Sequence, residues 1–121
     1  MNIHTAINNP TRETIVMAAN AREALRLGNW VALVEMAFRE EFARACELLD
    51  AKTRRAIKAL QFRNVEYRIR LVDSVTAGDD LALAQLCDEL SEKEKELIWR
   101  SLDSFSQQYI QQLQALRDNE R

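Results

Sequence analysis

The chain is poor in residues that interrupt regular structure. It has two glycines, Gly28 and Gly78, and one proline, Pro10, in 121 residues. A fold of many short strands needs more of both for its turns, so a many-stranded β architecture is not expected. Glycines this far apart also form neither a GxGxxG nor a GxxxxGK[ST] phosphate loop. Histidine occurs once, as His4 in the opening stretch. One remote histidine leaves no Ser–His or Cys–His pair on a rigid element and cannot supply the two Glu-x-x-His motifs of a carboxylate-bridged di-iron bundle. Cys46 and Cys87 form no CxxC pair and, with His4, make a poor zinc set. They read as small packing residues of a reduced, cytoplasmic chain. No apolar run approaches the ~18 residues that span a bilayer, and the first residues lack a basic-then-apolar leader. The expectation is a non-enzymatic protein with no cofactor, no metal site and no membrane segment.

What is abundant points to helix. Hydrophobic residues make up 47% and charged residues 30%, the balance of a globular domain, and Ala, Leu, Glu, Arg and Gln supply most of it. A chain of this length suffices for one core. The expected fold class is all-α: a compact bundle of five or six antiparallel helices, with a duplicated helix pair as one reading. The expected organisation is a loose leader over 1–8, one helical domain over 9–118 and a frayed tail over 119–121.

Local signals place the helices. Asn9-Pro10 reads as the start of a helix that runs to Leu27 and stops at Gly28. Asn29 caps a second, whose stripe is Trp30, Leu33, Val34, Ala37, Phe38, Phe42, Ala45, Leu48 and Leu49. Glu35–Arg39 and Glu40–Arg44 are spaced to pair on its polar side. Asp50 caps a third helix, read as running to about Thr76. Within it, residues 64–72 carry two periods. Val65, Tyr67, Ile69 and Leu71 alternate as in a strand, while Phe62, Val65, Ile69, Val72 and Val75 step as in a helix. No second strand is present to pair with the first, which favours helix. Leu81–Leu90 form a short helix, Ser91 and Glu94 a capping box, and Asp103 divides the final stripe from Ile98 to Leu116. The predicted core is Leu33, Ala37, Phe38, Leu48, Ile57, Leu60, Val65, Ile69, Leu86, Leu90, Ile98, Leu102 and Ile110.

One phrase recurs. Leu49-Asp50, Leu90-Ser91 and Leu102-Asp103 are each followed by an Ile seven residues after the capping residue, on the same helix face. CELLDAK (46–52) also aligns with CDELSEK (87–93) at an offset of 41, within the range of paired-helix repeats. Either a helix pair is duplicated, or two capped amphipathic helices look alike. The phrase resembles the short-helix repeats of magnesium-transporter cytoplasmic domains over these few residues alone, and no family is assigned from it.

Charge is segregated. The chain carries a net −2, yet Lys52–Arg70 holds seven Lys or Arg against Glu66, and Asp73–Glu96 holds eight acids against two lysines. These are blocks of +6 and −6. They could neutralise each other within the domain or between copies, which makes a homo-oligomer one outcome. Lys52, Arg55, Arg63 and Arg70 on one helix side could contact nucleic-acid phosphates, with Tyr67 or Phe62 stacking on a base. An Arg-rich, aromatic face also has the composition of a protein interface. The favoured reading is a small cytoplasmic adaptor, regulator or inhibitor. It would bind a larger protein through Arg54, Arg55, Arg63, Tyr67, Arg70 and Trp99. A DNA- or RNA-associated regulator is the alternative.

Overall fold

The computed structural model describes residues 10–119, so the expectations for the leader over 1–8 and for His4 lie outside the described residues. Eight α-helices and no strand occur among the described residues: α1 Arg12–Arg26, α2 Trp30–Ala37, α3 Glu41–Glu47, α4 Ala51–Gln61, α5 Arg63–Ala77, α6 Asp80–Glu89, α7 Glu92–Ser101 and α8 Ser104–Asn119. The all-α class holds, and residues 64–72 are helical. The helices are more numerous than the five or six expected because two of those expected are interrupted. The helix after Asn29 stops at Ala37 and resumes at Glu41. The helix after Asp50 stops at Gln61 and resumes at Arg63, with Phe62 as the turn between. The first interruption also takes Arg39 and Glu40 out of helical register, and neither Glu35–Arg39 nor Glu40–Arg44 is among the four ion pairs of the described residues.

The caps explain most boundaries. α1 begins at Arg12, and Thr11 caps it: its Oγ1 accepts from the Thr14 amide at 3.2 Å, while the expected start at Asn9 lies outside the described residues. Asn29, Asp50, Asp79 and Ser91 each accept from the amide three residues on, which satisfies a donor that the helix start leaves unpaired. Ser91 and Glu94 close a reciprocal capping box, with Glu94 Oε1 accepting from the Ser91 amide at 2.8 Å.

The chain divides into two compact units, one ending at Arg63 and the next beginning at Asn64. Each holds four of the helices, α1–α4 and α5–α8. The two units repeat one another in detail. Gly28 and Gly78 both lie in the left-handed region, at φ +67° and +65°, where a Cβ is strained. In the first unit the Gly28 amide donates to the Leu25 carbonyl and the Asn29 amide to the Ala24 carbonyl, at 3.1 and 2.8 Å. In the second the Gly78 amide donates to Val75 and the Asp79 amide to Ser74, at 3.1 and 2.9 Å. Both are the same helix-ending motif, offset by 50. Later in each unit the offset is 53. Thr53 donates to Asp50 as Ser106 does to Asp103, and the buried Ala45, Leu49 and Ile57 match the buried Ile98, Leu102 and Ile110. The offset of 41 between CELLDAK and CDELSEK joins unlike places, because the first spans the α3–α4 junction and the second the α6–α7 junction.

The units differ in what fills them. The first is built on Met17, Ala18, Ala21, Ala24, Leu33, Ala45, Leu49 and Ile57. Alanines let backbones approach, and α1 packs closely on α2, α3 and α4 while α2 packs on α4. Phe38, expected in the core, is 80% exposed, because α2 ends one residue before it. Ala37 and Leu48 are exposed too. The second unit buries Leu71, Val75, Leu83, Leu86, Leu90, Leu97, Ile98, Leu102 and Ile110, and its helices do not approach each other as closely. Ile69, expected in that core, is half exposed, because α5 turns Leu71 and Val75 inward instead. Among the described residues no helix is long and apolar enough to cross a membrane.

Candidate functional site

The cationic block is not one helix. Its first part is α4, its second the start of α5, and the two helices belong to different units. Arg54 and Arg55 lie on α4. Arg63, Tyr67 and Arg70 lie on α5, and Trp99 on α7.

On α4 the helical period sorts residues cleanly. Thr53, Ala56, Ile57, Leu60 and Gln61 are buried or half-buried, while Ala51, Lys52, Arg54, Arg55, Lys58 and Ala59 are exposed. At 100° per residue the exposed set occupies one side, and Phe62, 53% exposed, follows on that side. The helix contains four cations and no acid. Among the described residues none of Lys52, Arg54, Arg55 or Lys58 forms an ion pair, although Lys52, after hydrogen bonding from Thr53, helps to lower the pKa of Asp50. Arg54 Nη1 donates to the Cys46 carbonyl at 3.4 Å, near the C-terminal end of α3. Like charges three and four residues apart on a helix repel by a few tenths of a kcal/mol. This face is therefore a cost to the fold.

The matching helix of the second unit shows that the fold does not require those charges. With the offset of 53, Arg54, Arg55 and Lys58 correspond to Gln107, Gln108 and Gln111. Gln107 keeps the structural bond, its Nε2 donating to the Trp99 carbonyl at 2.9 Å, as Arg54 does to Cys46. A neutral amide serves there.

The remaining predicted residues are arranged differently. Arg70 Nη1 pairs with Glu89 Oε2 at 3.4 Å, and its guanidinium sits over the half-buried Tyr67 ring, 5.5 Å from the centroid. Both charges of that pair are about half exposed, so it contributes at most ~1 kcal/mol. Among the described residues it is the one ion pair between the acidic segment and the cationic one. Five of the seven other acids of that segment have local tasks. Asp79 caps α6, Asp80 accepts from the Tyr109 hydroxyl at 2.8 Å, and Glu92 and Glu96 pair with Lys95 and Arg100. Glu94 closes the capping box. Arg63 is exposed, and Trp99 is half-buried beside a cavity of its own unit.

Desolvation by burial raises the pKa of both cysteine thiols, against nearby cations that pull the other way. Both are free, and raised thiols carry little thiolate at neutral pH. Among the described residues no three His, Cys, Asp or Glu side chains gather where they could hold a metal ion. Lys58 joins the residues expected from the sequence; its signal was the absence of any acid between Asp50 and Glu66. Comparison with known proteins finds no matching family model, no matching curated protein and no matching solved structure.

Proposed function

We propose that the protein is a non-enzymatic binding module, an adaptor, regulator or inhibitor, that recognises a larger protein with an acidic surface. The contact is made by the outer face of α4: Lys52, Arg54, Arg55 and Lys58, with Phe62 beside them. The observation that carries this reading is the pairing of α4 with α8. One scaffold presents four cations outside any ion pair of the described residues at one place and mainly amides at the other, which supports reading the cations as surplus to folding. Arginine beside an exposed ring has the composition of an interface hot spot. Arg63, and the Tyr67–Arg70 pair on α5, form a secondary contact set. A cytoplasmic setting accords with the two free thiols.

The alternative, a DNA- or RNA-associated regulator, rests on the same four cations, because guanidinium matches phosphate as well as carboxylate. One experiment separates them. The variant R54Q/R55Q/K58Q copies α8 onto α4. Wild type and variant are compared in protein capture from cell extract, and in fluorescence anisotropy with a 20-base-pair DNA duplex and a single-stranded RNA. The proposal expects captured acidic protein to be lost in the variant and the oligonucleotides to bind neither chain. Oligonucleotide binding that falls linearly in log–log form with salt would move the assignment to nucleic acid. Undiminished protein capture by the variant would remove α4 from the contact.

A further inference from the structure

The second unit contains a concavity that the α4 reading does not use. Leu71, Leu90, Ile98, Leu102 and Ile110 make an apolar floor, with Trp99 and Cys87 on the wall. Its volume is about 530 Å³, inside the range of small-molecule sites. The duplication explains its origin. At the matching places the first unit has Ala21 for Leu71, Ala37 for Cys87, Ala45 for Ile98 and Cys46 for Trp99. Small residues let the helices of the first unit close on one another, whereas bulkier ones hold those of the second apart.

The rim is charged. Glu92 pairs with Lys95 at 2.7 Å and Glu96 with Arg100 at 2.6 Å. Lys93 is left as the one charged rim group without an ion pair among the described residues, beside the amides of Gln111 and Gln114. We propose that this groove binds a small amphipathic monoanion: an aliphatic body on the Leu/Ile floor against Trp99, and a carboxylate-type head at Lys93. A protein partner would need an interface of ~1,000 Å² or more, larger than a groove of this size offers. The thiol of Cys87, kept protonated by burial, lines the wall as an apolar group.

Decanoate is the probe, titrated into the full chain by calorimetry with tryptophan emission followed in parallel. Decanol and decyltrimethylammonium serve as neutral and cationic controls. The expected result is saturable one-to-one binding of decanoate, with a change in emission from Trp99 and weaker binding of both controls. Lys93→Gln weakens decanoate about three- to tenfold, the loss of one rim charge. Gln111→Phe, an exposed position that puts a ring across the mouth, weakens it at least tenfold while the melting temperature holds. No saturable heat with decanoate overturns the proposal. So does equal binding of the cationic control, or unchanged affinity in Gln111→Phe.

Discussion

The two units share their joints and differ in their fillings. Each ends its first helix on a left-handed glycine, starts its last on an aspartate, and buries an isoleucine seven residues after that aspartate. These joints are set by backbone hydrogen bonding, which tolerates few residue types at each place. The fillings are set by volume and charge, which tolerate many. The first unit is alanine-packed and close; the second is leucine-packed and open enough to hold a groove. The first carries ten cations against seven acids, a net +3, and the second seven against twelve, a net −5. A repeated scaffold with matching joints and unlike surfaces separates what folding requires from what it does not. The cations of α4 fall on the second side of that line.

The contrast in packing is broken most directly by truncation. Leu33 is fully enclosed, and Leu33→Ala should cost near the upper end of the ~2–5 kcal/mol range for such changes. Leu71 borders the groove, so Leu71→Ala leaves less new cavity and should fall near the lower end. Equal losses in denaturant titrations would mean that the units are equally tight. The reverse change comes next. Ala21→Leu installs the second unit's residue in the first, where Ala21 has no exposure; overpacking should cost about 1–3 kcal/mol. A neutral result would contradict close packing of α1.

Smaller effects sharpen the contrast in caps and charge. Ser91→Ala removes the capping box and should cost ~1 kcal/mol, read as a lower denaturation midpoint. R54Q/R55Q/K58Q should leave stability within about 0.5 kcal/mol of wild type, since α8 carries the same amides. The smallest effect concerns pH. Asp50 is held below the usual aspartate range first by hydrogen bonding to the Thr53 side chain and then to its backbone, and Asp103 likewise by Ser106. A lowered folded-state pKa stabilises above the unfolded value, and that share is lost as pH falls through the folded one. The melting temperature should therefore drop as pH falls below about 4, and less steeply in Asp50→Asn/Asp103→Asn. Identical pH profiles would show that these caps do not depend on charge.

How much of this could be read from the sequence follows from the same division. Asn29, Asp50, the turn at Gly78-Asp79 and the Ser91–Glu94 box were legible because capping is local chemistry. The breaks at 38–40 and at Phe62 were not, because the apolar period runs through both and only tertiary packing ends the helices there. The alanine core escaped notice because alanine scores as helix former before it scores as contact. The cationic segment was visible as composition. Its division between two units, and the engagement of Arg70 by Glu89 and Tyr67, required the fold. The groove beside Trp99 had no sequence signal, since it follows from how far apart the helices stand.

The proposed division, in which the α4 cations serve recognition and not folding, is tested by capture with wild type and R54Q/R55Q/K58Q side by side, melting the same samples. The expected result is loss of the acidic partner with an unchanged melting temperature. A partner retained by the variant, or a melting temperature that falls with the binding, would contradict it.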